Sequence, residues 1–207
     1  SDSDSDTAEA VETGQDSAVD SGDETGQDID PAWRVPWNEV VVGGTHNSYS
    51  ASRGTIQAQL DSGIRCLEFD IHDNDYKSEG GYRIGHTSPG DDVATDENGL
   101  GLLLPDWLNR VASWSTAEPE HAPITVVIDV KDNLTDNSGP DEGNMGALNE
   151  QIRSSFGSRL YAAADLPDQG WPSAHELRGK IMVQLSGDGA SRERYVRDTG
   201  YRPAVAM

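Results

Sequence analysis

The chain has 207 residues, with 37 Asp and Glu against 15 Lys and Arg, a formal net charge of -22 and a sequence pI near 4.3. So acidic a chain is excluded as a nucleic-acid binder, because a polyanion is bound through Lys and Arg that replace its counterions, and no apolar run approaches the ~20 residues that span a bilayer as a helix. Hydrophobic residues make up 34%, below the roughly 45–50%, counted with glycine, of ordinary globular domains, which points to a part of the chain outside any packed core.

That part is residues 1–30, which hold 11 acids and no Lys or Arg, so half of the net charge sits there. The stretch repeats ETGQD at Glu12 to Asp16 and again at Glu24 to Asp28, and offers only Ala, Val and Ile to bury. Such a segment cannot offset the entropy of ordering a chain, and it reads as a disordered acidic linker preceding a folded region at 31–207. It resembles the spacer that holds an exported bacterial lipoprotein off its membrane, so an extracellular or surface-anchored location is expected; adaptation to salt explains the same acidity and the three lysines equally well. Cys66 is the sole cysteine, which excludes an intramolecular disulfide and a cysteine metal cage.

From Trp33 onward, short β-branched runs alternate with longer amphipathic stretches, the pattern of βα units around a mostly parallel sheet. Five strands are predicted: Glu39 to His46, Arg65 to Ile71, Tyr82 to His86, Ile124 to Val130 and Lys180 to Ser186, with a sixth starting at Arg202. A helix at Thr55 to Ser62 has Thr55 as N-cap and ends at Gly63. In Leu103 to Ser115, the spacing of Leu103, Trp107, Val111 and Trp114 lays one apolar stripe on the sheet. Asn144 to Phe156 is a third helix, stopping at Gly157, and Pro172 to Arg178 a short fourth piece. This order fits a (β/α) barrel or an open doubly wound sheet. No GxGxxG or Walker pattern follows the first strand, which favours the barrel. A complete barrel takes about 250 residues, so an incomplete one of five or six strands is expected here.

Active sites of such barrels are assembled at the C-terminal ends of the strands, and polar side chains stand there. The second strand alternates Leu67, Phe69 and Ile71 with Glu68, Asp70 and His72. Carboxylates two residues apart on one buried face repel each other unless a cation or hydrogen bonds compensate; a solvated strand end is the other reading. The first strand ends Gly43-Gly44-Thr45-His46-Asn47, the third supplies His86, and the fourth places Asp129 and Lys131 on one face. Oxygen donors without cysteine suit Ca²⁺ or Mg²⁺. Two imidazoles beside such a cation suit proton transfer around a phosphate ester.

These pieces, GTHNSY at Gly44 to Tyr49, QLDSGIRCLEFDIHDN at Gln59 to Asn74, IGHTS at Ile84 to Ser88, HAPITVVIDVKDN at His121 to Asn133 and LRGKIMVQLSG at Leu177 to Gly187, resemble in order and spacing the X-box half of the phosphatidylinositol-specific phospholipase C family, in particular its calcium-dependent bacterial branch. The resemblance implies a distorted TIM barrel and an intramolecular phosphoryl transfer, in which the inositol 2-hydroxyl attacks phosphorus, diacylglycerol leaves, and an inositol cyclic phosphate forms. It implies that His46 binds the phosphoryl group, that His86 is the general acid, and that Asn47, Glu68, Asp70 and Asp129 hold Ca²⁺. Glu68 or Asp129 would also take the 2-hydroxyl proton, and Lys131 and Arg53 would bind phosphate, unless they are surface charges. Calcium-independent relatives carry Arg where Asp70 stands, so the acidic residue implies calcium dependence. Asp129 departs from the glutamate usual in the calcium-dependent branch, and the family's downstream strands are not represented. The implied partner is a phosphatidylinositol-type lipid at a membrane surface. Two alternatives remain: a glycerophosphodiester phosphodiesterase, which would carry a His-Arg pair and a Glu-Asn-Thr stretch not found here, and a non-catalytic surface-binding lipoprotein domain.

Overall fold

The computed structural model describes residues 30–199; the acidic linker, but for Asp30, and the strand expected from Arg202 lie outside the described residues. Along the chain run β1 (Gly44–Thr45), α1 (Ile56–Asp61), β2 (Cys66–His72), α2 (Tyr76–Glu79), β3 (Arg83–Ile84), α3 (Thr95–Asn98), α4 (Leu104–Ala117), β4 (Ile124–Val130), α5 (Met145–Phe156), β5 (Ile181–Gly187) and α6 (Gly189–Thr199), joined in places by short 3-10 turns. The sheet order is β1-β2-β4-β5, all parallel, with β3 antiparallel against the end of β2. Among the described residues the sheet does not close: it is a mixed α/β sheet with the strand content expected of an incomplete barrel.

The period of two along β2 and β4 makes its two faces chemically different. Leu67, Phe69 and Ile71, with Ile124, Val126, Ile128 and Val130, are fully buried, packed in one cluster with Ile56 and Leu60 of α1, Trp107, Leu108 and Val111 of α4, and Leu148, Ile152 and Phe156 of α5. Phe69 meets the Trp107 ring in a tilted pair at 6.1 Å, and the indole N–H donates to the Gly101 carbonyl, so the largest core side chain has no unmet polar atom. The other face presents three cross-strand rows, Cys66-Thr125-Met182, Glu68-Val127-Gln184 and Asp70-Asp129-Ser186. Polarity rises along these rows toward the C-terminal ends of the strands. At the opposite end Met182 packs with Trp37, Ala174 and Leu177, together with Val40 and Val42.

The helices follow their sequence signals. The Thr55 hydroxyl accepts from the Ala58 N–H, the cap read from the sequence, and Asn144 Oδ1 accepts from the Ala147 N–H and caps its helix likewise. Several elements differ from the sequence reading: α2 and α3 were not predicted, and β3 is shorter than the Tyr82 to His86 strand expected. The Val40–Val42 run looks like a strand, but Val40 and Val42 pack on the Trp37 cluster while Val41 is exposed, leaving only Gly44 and Thr45 in the ladder. The stretch from Pro172 to Arg178 is a series of turns rather than a helix, tied by backbone bonds to Trp33, Val35 and Trp37. α6 carries almost no apolar periodicity and was not predicted; Asp188 Oδ2 accepts from the Ser191 N–H at its start, and the Ser191 hydroxyl accepts from the Leu134 N–H.

Trp107 joins the sheet to α4, so Trp107→Ala is expected to cost about 3–5 kcal/mol of stability. Val127→Ala, on the half-open face, is expected to cost less than half as much. Urea unfolding of the two variants checks the contrast.

Candidate active site and metal centre

Register brings the acids together. Asp70 pairs with Asp129 across β2 and β4, and Glu68 is two residues upstream on the same face. One carboxylate oxygen from each of Glu68, Asp70 and Asp129 lies within 4.8 Å of the others. Two oxygens on one calcium ion stand at most about 4.6–5.2 Å apart, twice the metal–oxygen distance, so the three acids are spaced to share a single ion.

Asp70 is 1% exposed, and its two oxygens have opposite surroundings. Oδ2 accepts from the Tyr49 hydroxyl at 2.9 Å, and lies 3.0 Å from Lys131 Nζ and 3.2 Å from His86 Nδ1. Oδ1 is buried and has no hydrogen-bond partner. Asp129 repeats this division, with Lys131 Nζ 3.1 Å from Oδ2 and Oδ1 buried without a partner. Among the described residues six buried side-chain polar atoms have no partner, and four of them, on Asn47, Asp70, Asp129 and Ser186, belong to this end of the sheet. Orphaned buried acceptors are costly unless something else satisfies them. Three oxygens from Asn47, Asp70 and Asp129, with Glu68, make a donor set that fits a hard divalent cation.

Local backbone geometry aims these groups. Asn47 stands in the left-handed region with φ 50°, a conformation that Asn tolerates better than most residues. Its N–H donates to Glu68 Oε2 at 2.9 Å, and its side-chain Nδ2 lies 3.2 Å from His86 Nδ1. The preceding His46 is largely exposed, with Nε2 3.4 Å from Glu68 Oε2. The Ser48 N–H bonds to the Glu68 carbonyl and the Glu68 N–H to the Ser48 hydroxyl, which locks the loop to β2. His86 arrives by a different route: β3 crosses the end of β2, and the chain then turns so tightly at Gly85 that a Cβ there would collide with the Ser88 carbonyl. Gly187, at φ 82°, lies where a Cβ would overlap Asp129 Oδ1 and the Val130 backbone, so glycine is required beside the orphaned oxygen.

The structure therefore gathers His46, Asn47, Glu68, Asp70, His86, Asp129 and Lys131 at one end of the sheet. Arg53 is placed differently: it is exposed, and its Nε donates to the His46 carbonyl at 3.1 Å, so it braces the loop that carries His46. His72, on the same face of β2 by alternation, is outside the cluster, with Nε2 2.9 Å from the Gly85 carbonyl and Nδ1 3.6 Å from Asp132. Two residues escaped the sequence reading. Tyr49 is a buried phenol whose hydroxyl belongs to Asp70, and Ser186 completes the last row. The only signal for either was its position beside a strand's polar end. Burial pulls the Lys131 ammonium down, but its bonds to Asp70 and Asp129 outweigh this and hold it above the usual lysine value. Burial and the bond to Asp70 both push the Tyr49 phenol far above its ordinary value, so it acts as a fixed donor.

No family model and no curated protein matches the chain. Solved structures do. A calcium-dependent phosphoinositol-specific phospholipase C from a Pseudomonas species superposes with a TM-score of 0.66 at 24% identity, covering 80% of this chain and 66% of that one. A Ca²⁺-dependent phosphatidylinositol-specific phospholipase C from Streptomyces antibioticus gives 0.57 at 23% identity, over 77% and 61%. A phosphatidylinositol-specific phospholipase C from Listeria monocytogenes gives 0.51 at 15%, over 75% and 54%. The chain thus has the fold of these phospholipases C, a sheet of the TIM-barrel kind, and spans just under two thirds of the length of the Pseudomonas structure. The likeness first carried by short motifs extends to the three-dimensional arrangement.

The Tyr49 hydroxyl is one of three donors on a buried carboxylate. Tyr49→Phe is expected to cost about 1.5–3 kcal/mol, the range for hydrogen bonds to charged groups, read from urea unfolding at neutral pH.

Proposed function

We propose that the protein is a calcium-dependent phosphodiesterase of the phosphatidylinositol-specific phospholipase C type. It cleaves phosphatidylinositol or a related glycophospholipid by intramolecular phosphoryl transfer, giving inositol cyclic phosphate and diacylglycerol. The observation that carries this reading is the grouping of Glu68, Asp70 and Asp129 within reach of one ion, with buried, unpartnered oxygens on Asn47, Asp70 and Asp129 and with His46 and His86 in contact with the same acids. A bare scaffold has no reason to bury such oxygens. The fold shared with the calcium-dependent phospholipases supports it.

In this reading Asn47, Glu68, Asp70 and Asp129 hold Ca²⁺. The ion, when bound, lowers the pKa of the inositol 2-hydroxyl and offsets charge growing on the phosphoryl oxygens. Glu68 or Asp129 accepts the 2-hydroxyl proton as its oxygen bonds to phosphorus. His46, exposed beside Glu68, donates a hydrogen bond to a phosphoryl oxygen and stabilises the pentacovalent transition state. His86 protonates the departing glycerol oxygen. In the protonated ring that a general acid requires, Nδ1–H donates to Asp70, which turns the ring and leaves Nε2–H for the leaving group. Arg53 supports this by fixing the His46 backbone.

The substrate lies in a lipid surface, and the protein is exported, with the acidic residues 1–30 as its spacer. No helix among the described residues is long and apolar enough to cross a membrane. A net charge of -22 repels an anionic bilayer at low salt. Turnover on phosphatidylinositol vesicles is therefore expected to rise with ionic strength at fixed calcium, and a flat or falling profile contradicts surface repulsion.

Phosphorus NMR of the products tests the reaction. Inositol 1,2-cyclic phosphate is expected with calcium, not with a chelator, and at least about 10²-fold more slowly from His46→Ala and His86→Ala, the scale of acid–base contributions. Glycerol phosphate from deacylated lipid, without cyclic product, would make the protein a glycerophosphodiester phosphodiesterase. Absence of turnover by the folded protein would leave a binding domain.

A further inference from the structure

Among the described residues, Lys131 is the one cation in contact with two of the clustered acids at once. Its ammonium lies 3.0 Å from Asp70 Oδ2 and 3.1 Å from Asp129 Oδ2. On each carboxylate the opposite oxygen, Oδ1, is buried and unpartnered. Tyr49 and His86 also crowd onto Asp70 Oδ2, so every donor to Asp70 is on one oxygen.

We propose that Lys131 is a built-in part of the metal centre: through its contacts to the Oδ2 oxygens of Asp70 and Asp129 it shares these two acids with the divalent cation they would hold, and so sets the charge that substrate meets. The inference rests on the calcium reading above. Three carboxylates carry three negative charges, and Lys131 reduces them to two. A divalent ion then brings the centre to neutrality. Without the lysine the loaded centre would stay negative and oppose an anionic phosphodiester. With it, calcium is held less tightly than three acids alone would hold it, and the phosphate is admitted. Lys131 is thus a positioning and charge-setting residue acting through the two aspartates, not a group that hands a hydrogen bond to the phosphate.

Two effects of opposite sign follow for Lys131→Met. Its calcium dissociation constant, measured by calorimetry with calcium chloride and no lipid, should fall about tenfold, the order expected for losing a unit charge a few ångströms from a partly solvated ion. Its KM for phosphatidylinositol vesicles at saturating calcium should rise about tenfold, with kcat changing less. Lys131→Arg keeps the charge and should stay close to wild type in both, and circular dichroism establishes that each variant is folded. Unchanged or weaker calcium binding in Lys131→Met overturns the proposal, as does equal tightening in Lys131→Arg, which would mark a steric block instead of a charge. Should Lys131→Met not fold, Lys131→Gln is read in the same way. Wild-type protein that binds no calcium overturns the calcium reading as well. Calcium binding by the wild type with no change in Lys131→Met overturns only the role of Lys131.

Discussion

The structure turns on the burial of the Asp70 carboxylate beside Asp129. Two carboxylates at paired positions of a parallel ladder, one of them almost without solvent, are an expensive arrangement, since removing a charge from water costs several kcal/mol even after the surroundings relax. Compensation comes from elements far apart in sequence: a phenol from the loop after β1, an imidazole from the turn after β3, and an ammonium from the residue following β4. All three act on the same oxygen. The other oxygen of Asp70, like one oxygen of Asp129, is left buried without a partner, so the polar support falls on one oxygen of each carboxylate.

This division also explains why the loops are built as they are. The left-handed turn at Asn47 lets one residue fix Glu68 by its backbone N–H while its side-chain Nδ2 lies beside His86. The tight turn at Gly85 brings His86 back over the end of β2, and the required glycine at 187 clears room beside Asp129. None of these positions contributes much to the hydrophobic core. That core lies on the other face, where Phe69, Ile128 and Trp107 make the sheet and helices rigid enough to hold charged groups within hydrogen-bond distance.

Much of this was legible from residue order. The period-two pattern of LEFDIH correctly assigned Leu67, Phe69 and Ile71 to the packed face and Glu68 and Asp70 to the other, and β2 and β4 agree with the predicted strands to within a residue at each end. The helix cap at Thr55 was readable for the same reason: a cap is a contact between residues three apart. Readings failed where partners are distant. Val40 to Val42 has strand composition, yet a hydrophobic cluster with Trp37 and Leu177 was the better place to bury Val40 and Val42. Other contacts had no signal in the sequence: the chain returning at Gly85 holds the His72 ring, and Arg53 donates to the His46 carbonyl.

By itself the sequence determined which residue types were available and which face of each strand they would take, because side-chain alternation and capping are local consequences of backbone geometry. It also determined the overall acidity and the single cysteine, which excludes a metal cage built of cysteines. Only the tertiary structure decided that Asp70 and Asp129 would stand side by side, that Tyr49 and Lys131 would take one oxygen of an aspartate and leave the other bare, and that β3 would run against its neighbour. Those outcomes depend on strand register and on loop closures between residues up to some tens of positions apart, and no short-range pattern encodes a register.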